Sequence, residues 1–380
     1  MLAEGRRARD RAAAAALFCT GLVMIGARSW VVWRRQAAAP IPQPPAPSDP
    51  AAWPEQPHVS VLVAAWNEEQ HIVAFLHSFL ALSYPACDLV LCAGGTDATY
   101  AIAARYADAK ITVLEQYPGE GKQRALRRCL ERATGALIML TDADCLMADA
   151  PFLRLIEPLA RRDASVATGV SLPRPEQWAS PLVQYQGLSD LAWQHGLSVV
   201  ADGVLGRNCA LRRDLLAQLG AFDAPAATGT DYVLSRLVTG AGYAIRCVVA
   251  SKVATEYPET LGDYLRMWRR WNKNLLLHGM RYGAWRDVRG VATACAIYGA
   301  TVALPALTPF IGPLALVGSA LLFAQAGANR LGRLALGARV RGTKPAVRTI
   351  VGLPLFIALD MLAVFLAVAD AVDARKRSRW

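Results

Sequence analysis

The spacing of apolar and polar positions changes character several times along this chain. Ala12 to Ala27 is apolar apart from Thr20 and is followed by Arg28, "SWVVW" and Arg34-Arg35. A spanning helix needs ~20 apolar residues, and a long arginine near its end can snorkel to the head groups. The basic start and the small residues Gly26-Ala27 also fit a secretory signal peptide. Continuation into Trp30 and Trp33 favours an anchor over residues 1–36, with its aromatic end at the interface. "AAAPIPQPPAPSDPAAWPEQP" follows, a proline-rich linker over 37–57 that is extended and semi-rigid.

From Val59 short apolar runs alternate with helical spacing. "VSVLVAAW", "DLVLCAGG", "ITVLEQ" and "ALIMLTDAD" predict strands, and "HIVAFLHSFLAL", "TDATYAIAARYA" and "GKQRALRRCLERA" predict the helices between them. The alternation predicts an α/β domain over 58–260, with a parallel sheet covered on both faces. After Glu256 the pattern becomes membrane-like. Tyr264, Met267, Trp268, Trp271 and Leu275 fall at helical spacing among basic residues, which predicts an amphipathic interface helix over 261–289. Val291 to Pro309 and Ile311 to Ala326 predict a transmembrane hairpin over 290–328, and Ile350 to Val372 a further span over 349–373. A basic loop (329–348) separates them, and a basic tail (374–380) ends the chain. Asp360 and Asp370 interrupt the last span.

Composition sharpens this picture. Hydrophobic residues make up 54% and charged residues 19%, rich in apolar side chains for a purely soluble protein. The net charge of +11 collects in arginine clusters that flank the apolar segments, so phospholipid head groups, and not nucleic acid, are the expected partner. Charge flanks both sides of most spans and does not orient them. The eight cysteines are scattered without a C-x-x-C pair, as small buried residues of a reducing compartment are.

The candidate chemistry lies at the ends of the predicted strands, where ligands sit in such sheets. "LIMLTDADCLM" is a buried-looking run that breaks off into Asp142-Ala143-Asp144. On an extended strand end, positions i and i+2 point the same way, and two hard carboxylates suit Mg2+ or Mn2+. A solvated turn is the alternative. Gly119, Gly121 and Lys122 precede a helix and could form an anion site. Asp231 opens the helical stretch "TDYVLSRL", where an aspartate also serves as an N-cap.

Seven segments, in order, resemble the membrane-attached family 2 glycosyltransferases of GT-A fold, in their ceramide glucosyltransferase and polysaccharide synthase-like branch. "VLVAAWNEE" is similar to that family's opening strand, "CAGGTDAT" to its Asp-Asp-Gly-Ser-Thr-Asp-Gly-Thr segment, and "GKQRALRRCL" to its Gly-Lys helix start. "LTDAD" resembles its D-x-D, "GRNCALRRDLLAQLGAFD" its acceptor-side segment, "GTDYVLSRLVTGAGYAIR" its catalytic-base segment and "MWRRW" its Q-x-x-R-W motif. The resemblance implies a nucleotide-diphospho-sugar transferase domain, Rossmann-like, with transmembrane helices before and after it. It implies that Asn67, Glu68, Asp97, Lys122 and Asp142 line the nucleotide-sugar site, that Asp144 with Asp142 holds Mg2+ or Mn2+, and that Asn208 lies on the acceptor side. Asp231 would be the catalytic base, Arg270 would stabilise the diphosphate and Trp271 would floor the site.

The departures are Cys92 and Ala93 in place of two aspartates, Thr230 in place of glutamate, and Met267 in place of glutamine. The first removes an aspartate that helps read the base; the last leans toward single-sugar transfer. The implied protein is a multi-pass cell-membrane enzyme with a cytoplasmic catalytic domain. It would move a sugar with inversion from a nucleotide-diphosphate sugar, a UDP-sugar being the expected donor, to a lipid or lipid-linked acceptor. A processive polysaccharide synthase and a catalytically inactive membrane partner are the alternatives.

Overall fold

A computed structural model describes residues 2–38, 40–41, 46–223 and 229–373. In chain order the elements are α1 (Leu2–Ala38), β1 (Val59–Trp66), α2 (Ile72–Leu80), β2 (Cys87–Gly94), α3 (Thr99–Ala104), β3 (Ile111–Glu115), α4 (Gly121–Arg132) and β4 (Leu137–Leu140). Next come β5 (Cys145–Leu146), α5 (Asp149–Ala160), β6 (Val166–Pro173), α6 (Pro181–His195), β7 (Val200–Ala201), β8 (Cys209–Arg212), α7 (Arg213–Gln218), α8 (Thr230–Gly240) and β9 (Ile245–Thr255). The remainder is helical: α9 (Leu261–Arg281), α10 (Trp285–Ala303), α11 (Thr308–Ile311), α12 (Leu314–Arg341), α13 (Val347–Val351) and α14 (Leu353–Val372). The described residues divide into a sheet unit, those within 43–176 and 194–257, and a helical unit, those within 1–42, 177–193 and 258–373. The basic tail, 374–380, lies outside the described residues.

In the sheet unit β1 is central, parallel to β2 (Trp66 beside Gly94) and to β4 (Leu62 beside Leu140). The carboxyl ends of these three strands therefore finish along one edge. Alternate residues of β1 serve two cores. Val59, Val61, Val63 and Ala65 pack with Ile72, Phe75, Leu76 and Phe79 of α2, while Leu62 joins Leu126 and Cys129 of α4 on the other face. Full burial of each large apolar side chain contributes about 1.5–3 kcal/mol, and this clamps the edge rigidly. Trp53, from the proline-rich segment, is also buried and donates its indole N–H to Ser48 Oγ at 2.7 Å.

An all-parallel sheet, expected from the strand–helix alternation, does not form. The order is β3-β2-β1-β4-β8-β6-β9-β5, and β8 runs antiparallel to both β4 and β6. β8 is the four-residue run "CALR", whose apolar pattern reports burial but carries no information on direction. The connection into it sets the direction.

The helical unit holds a polar knot. Asp360 of α14 accepts hydrogen bonds from Tyr185 (2.7 Å) and Tyr264 (2.5 Å) and pairs with Arg330 of α12 at 2.7 Å. Asp370 grips Arg269 of α9 through two bonds of 2.6 and 2.7 Å. The two aspartates that interrupt an apolar span are thus its ties to neighbouring helices. The basic loop expected over 329–348 is instead helical as far as Arg341. Leu, Ala and Arg are good helix formers, Asp360 neutralises Arg330, and the helix stops where Gly342 takes a left-handed conformation (φ 73°). Replacing Asp360 with alanine leaves Arg330 buried without its anion, a loss of about 3–5 kcal/mol. Thermal unfolding of the detergent-solubilised variant should show it as a clearly lowered Tm.

Four helical segments among the described residues are long and apolar enough to cross a membrane: Ala12–Arg35, Trp285–Ile311, Leu314–Arg341 and Leu353–Val372. α1 runs unbroken past Gly26-Ala27 to Ala38.

Candidate active site

Two loops frame the edge where β1 and β2 end. Asn67 takes a left-handed conformation (φ 60°), and its Oδ1 accepts the Thr96 N–H at 2.7 Å. Gly95 must be glycine, since a Cβ there would stand 2.2 Å from Asn67 Oδ1 and its φ is 141°. Asp97 accepts the Thr99 hydroxyl at 2.6 Å and the Glu69 N–H at 3.1 Å. Burial pushes its pKa up, but these bonds outweigh that and hold it below the usual range. Asn67 and Asp97, expected to line the nucleotide site, brace the two loops against each other. Glu68, whose N–H donates to Thr99 Oγ1 at 2.7 Å, is left facing the other carboxylates.

Those carboxylates are Asp142 and Asp144. β4 ends at Leu140, and the triplet forms a turn closed by Cys145 N–H to Asp142 C=O at 3.1 Å. The extended strand end expected for it is absent. The two aspartates differ in their partners. Asp142 is neutralised by Lys122 at 2.5 Å and faces Arg207 at 3.9 Å. Burial lowers the pKa of both cations, and the pairing with Asp142 more than reverses it. Asp144 pairs with no lysine or arginine among the described residues; its carboxylate accepts the Cys145 thiol at 3.5 Å, and Arg174 holds its backbone C=O at 2.7 Å.

Glu68 reports the crowding of charge. Burial first, then the charges of Asp144, Asp142 and Asp97, raise its pKa from 4.5 to about 7. A carboxyl that keeps its proton among three others marks a place where a cation would be welcome. Hard carboxylate oxygens suit Mg2+ or Mn2+, so the donor set fits such an ion. Among the described residues no group of three or more His, Cys, Asp or Glu could hold a metal. Phosphate oxygens and water would complete the shell, the usual arrangement for Mg2+. Because the folded pKa of Glu68 is raised, its contribution to stability is intact below about pH 4.5 and is lost as pH rises toward about 7. Urea titrations of metal-free protein at several pH values should show that loss, and Glu68→Gln should remove it.

Asp231 lies in the first turn of α8, after Gly229 in a left-handed conformation (φ 72°). Its Oδ1 accepts the Tyr232 N–H at 2.9 Å, and its charge raises the pKa of Lys122, which places it in the same cluster. Gly206 seats it: a Cβ there would come within 2.9 Å of the Asp231 Cβ. Gly206→Ala should therefore displace the carboxylate. A shift on the 1 Å scale lowers kcat by roughly a hundredfold, with Tm little changed, as steady-state kinetics beside thermal unfolding would show.

Asn208, expected on the acceptor side, sits inside the sheet. It is 1% exposed, and its amide donates to the Val170 and Ser251 carbonyls at 2.9 and 3.0 Å, tying β6 to β9. Arg270 and Trp271 lie in the helical unit, exposed on α9. Arg207 and Gly206 carry no expected role from sequence, though both stand one or two residues from Asn208 in the quoted "GRN" segment.

A sequence-family profile described as "Glycosyltransferase like family 2" matches residues 56–274, more than half of the chain. The chain belongs to glycosyltransferase family 2. This glycosyltransferase matches no curated protein. Its fold is similar to that of the mannosyltransferase PcManGT from Pyrobaculum calidifontis, solved with GDP-Man and Mn2+, with a TM-score of 0.53 at 22% identity. That match covers 96% of this chain and 99% of the other. A weaker match is GalNAc-T7, solved with UDP, GalNAc and Mn2+: TM-score 0.41, 14% identity, 53% of this chain and 43% of the other. The glycosyltransferase has the GT-A fold, with a mixed sheet.

Proposed function

We propose that this glycosyltransferase is a multi-pass membrane enzyme that transfers one sugar, with inversion, from a nucleoside-diphosphate sugar to a lipid or lipid-linked acceptor on the cytoplasmic side. The observation that carries the reading is the set of carboxylates Glu68, Asp142, Asp144 and Asp231 gathered with Lys122 and Arg207 beside the ends of β1 and β4. The four apolar helical segments support the membrane placement.

In this reading Lys122 and Arg207 attract the diphosphate and fix Asp142. Asp144, together with Asp142, would hold Mg2+ or Mn2+, which would supply positive charge to offset that of the leaving diphosphate. Asp231 accepts the proton of the acceptor hydroxyl as its oxygen attacks the anomeric carbon, and the bond from that carbon to the diphosphate breaks. Attack opposite the leaving group inverts the configuration. For Arg270 and Trp271 the proposal keeps the catalytic assignment that the sequence motif implies. The UDP-sugar expected from the sequence motifs, and the GDP-Man bound in PcManGT, are the first donors to try.

The test is nucleotide release by detergent-solubilised protein across a panel of nucleotide sugars, with lipid extract and Mn2+ or Mg2+. Metal-dependent release from one donor supports the transferase and names its donor. Release from none, with no donor binding, would favour an inactive membrane partner, and long polymeric products would favour a processive synthase.

A further inference from the structure

The edge of the sheet opposite the carboxylates carries a cavity. β6 and β9 run parallel, and their carboxyl ends reach the carboxylate edge. Arg174, just after β6, holds the Asp144 C=O, and Thr255, the last residue of β9, accepts a hydrogen bond from Arg207 at 3.1 Å. Their amino ends, Val166 and Ile245, therefore lie at the far edge. At ~3.3 Å per residue, the eight residues of β6 set the two edges roughly 25 Å apart. At the far edge a cleft of about 360 Å³ opens between the α5–β6 loop, β7 and the α8–β9 loop. Its walls include Arg162, Asp163, Ser165, Val200, Tyr243 and Arg246. The volume falls in the range of small-molecule sites.

The walls are held by backbone bonds, and their polar side chains are left uncommitted. Arg162 takes a left-handed conformation (φ 61°) after α5, a place where glycine is usual. The N–H groups of Asp163 and Ala164 both donate to the Pro158 C=O, at 2.8 and 3.0 Å. The Ser165 C=O accepts the Arg212 N–H at 3.1 Å, the Tyr243 N–H donates to the Val238 C=O at 3.1 Å, and Val200 pairs with Arg246 in the sheet. Arg162 spends its charge on Glu55. The side chains of Asp163, Ser165, Tyr243 and Arg246 make no hydrogen bond or ion pair among the described residues. The uncommitted charges are thus one carboxylate and one guanidinium, which sum to zero. An anion would be drawn to Arg246 and repelled by Asp163, and a cation the reverse. A neutral ligand rich in hydroxyls meets neither penalty: hydroxyls donate to the carboxylate and accept from the guanidinium, and an adjacent pair can engage either through two bonds. Tyr243 is 37% exposed and Val200 57% exposed, which gives the cleft an apolar wall beside its polar one.

We infer that this cleft binds a neutral pyranose, its apolar C–H face packed on the Tyr243 ring and its hydroxyls bridging Asp163 and Arg246, at a place separate from the donor site. An aromatic ring beside paired hydrogen-bonding groups matches the two faces of such a sugar. The fixed loops lower the cost of ordering the site around it. At this distance from Asp144 and Asp231 the cleft holds a sugar, free or as one unit of a glycan, without occupying the reaction centre.

The experiment is saturation-transfer NMR with titration, on full-length protein in a zwitterionic detergent that carries no sugar. The probes are free glucose, galactose, mannose and N-acetylglucosamine, their methyl glycosides, inorganic phosphate and phenylalanine, each with and without UDP or GDP and Mn2+. At least one pyranose should bind whether or not nucleotide is present. Equal affinity for its methyl glycoside would mark a unit of a glycan, and a preference for the free sugar a free ligand. Asp163→Ala and Arg246→Ala should each weaken it by roughly tenfold, the worth of a hydrogen bond to a charged group. Tyr243→Ala should weaken it by at least as much, while Tyr243→Phe keeps most of the affinity. Because these side chains are uncommitted, Tm and nucleotide binding should stay at wild-type values in all four. Absence of pyranose binding would overturn the inference, as would binding that none of the variants changes. Displacement of the sugar by nucleotide would place it in the donor site instead. Tighter binding of phosphate or phenylalanine than of any pyranose would mark a site for an anion or a zwitterion and overturn it equally.

Discussion

Asp231→Asn should lower kcat by roughly 10²–10⁴-fold, the range contributed by a general base, while donor affinity and Tm stay at wild-type values. The substitution isolates basicity because asparagine has nearly the same shape. Its side-chain oxygen can still accept the Tyr232 N–H, and the close packing with Gly206 is unchanged. What is lost is the capacity to take the acceptor proton, together with a charge that acts on Lys122. An N-cap or purely structural aspartate would behave differently: stability would shift and turnover would follow it. Pre-steady-state turnover beside donor titration separates the two, and a kcat near that of wild type would remove Asp231 from the chemistry.

Asp144→Asn should cost about 4 kcal/mol of transition-state stabilisation, roughly a thousandfold in turnover, together with most of the response to added Mn2+ or Mg2+. The reason lies in what each aspartate already holds. Asp142 is engaged by Lys122 and Arg207, so neutralising it leaves both buried cations without the carboxylate that pairs with them most closely. Asp142→Asn should therefore lower Tm as well as activity. Asp144 carries no such pairing among the described residues, so its loss should leave Tm nearly unchanged. Metal titrations of turnover, with thermal unfolding of both variants, would show this asymmetry. Equal loss of metal response without loss of stability in both would contradict it.

Much of this site is readable in the primary structure, and the unreadable parts have physical reasons. β1, β2 and β4 stand out as largely apolar runs, because both faces of their sheet are covered. The Asp142-Ala143-Asp144 triplet stands out because carboxylates end such a run, although its turn geometry depends on the bond from Cys145. The direction of β8 leaves no trace in "CALR", and Arg207 becomes a site residue only because β8 pairs with β4. The seat that Gly206 makes for Asp231 likewise exists only once α8 has folded back. In the helical unit, Arg330 reads as one of many membrane-flanking arginines. Its partner Asp360 reads as an interruption of a span, and their pairing is a matter of helix packing. Asn208, drawn to the acceptor side by its motif, instead lies buried between β6 and β9.

The activity proposed for the carboxylate cluster is transfer of a sugar to a lipid. Its most direct test is the fate of a labelled sugar: purified full-length protein, radiolabelled donor, lipid extract and Mn2+, followed by organic extraction. The expected result is label in the lipid phase as a single sugar of inverted configuration, lost with EDTA and in Asp231→Asn. Donor binding with all label left in the aqueous phase, for every donor tried with that extract, would contradict it.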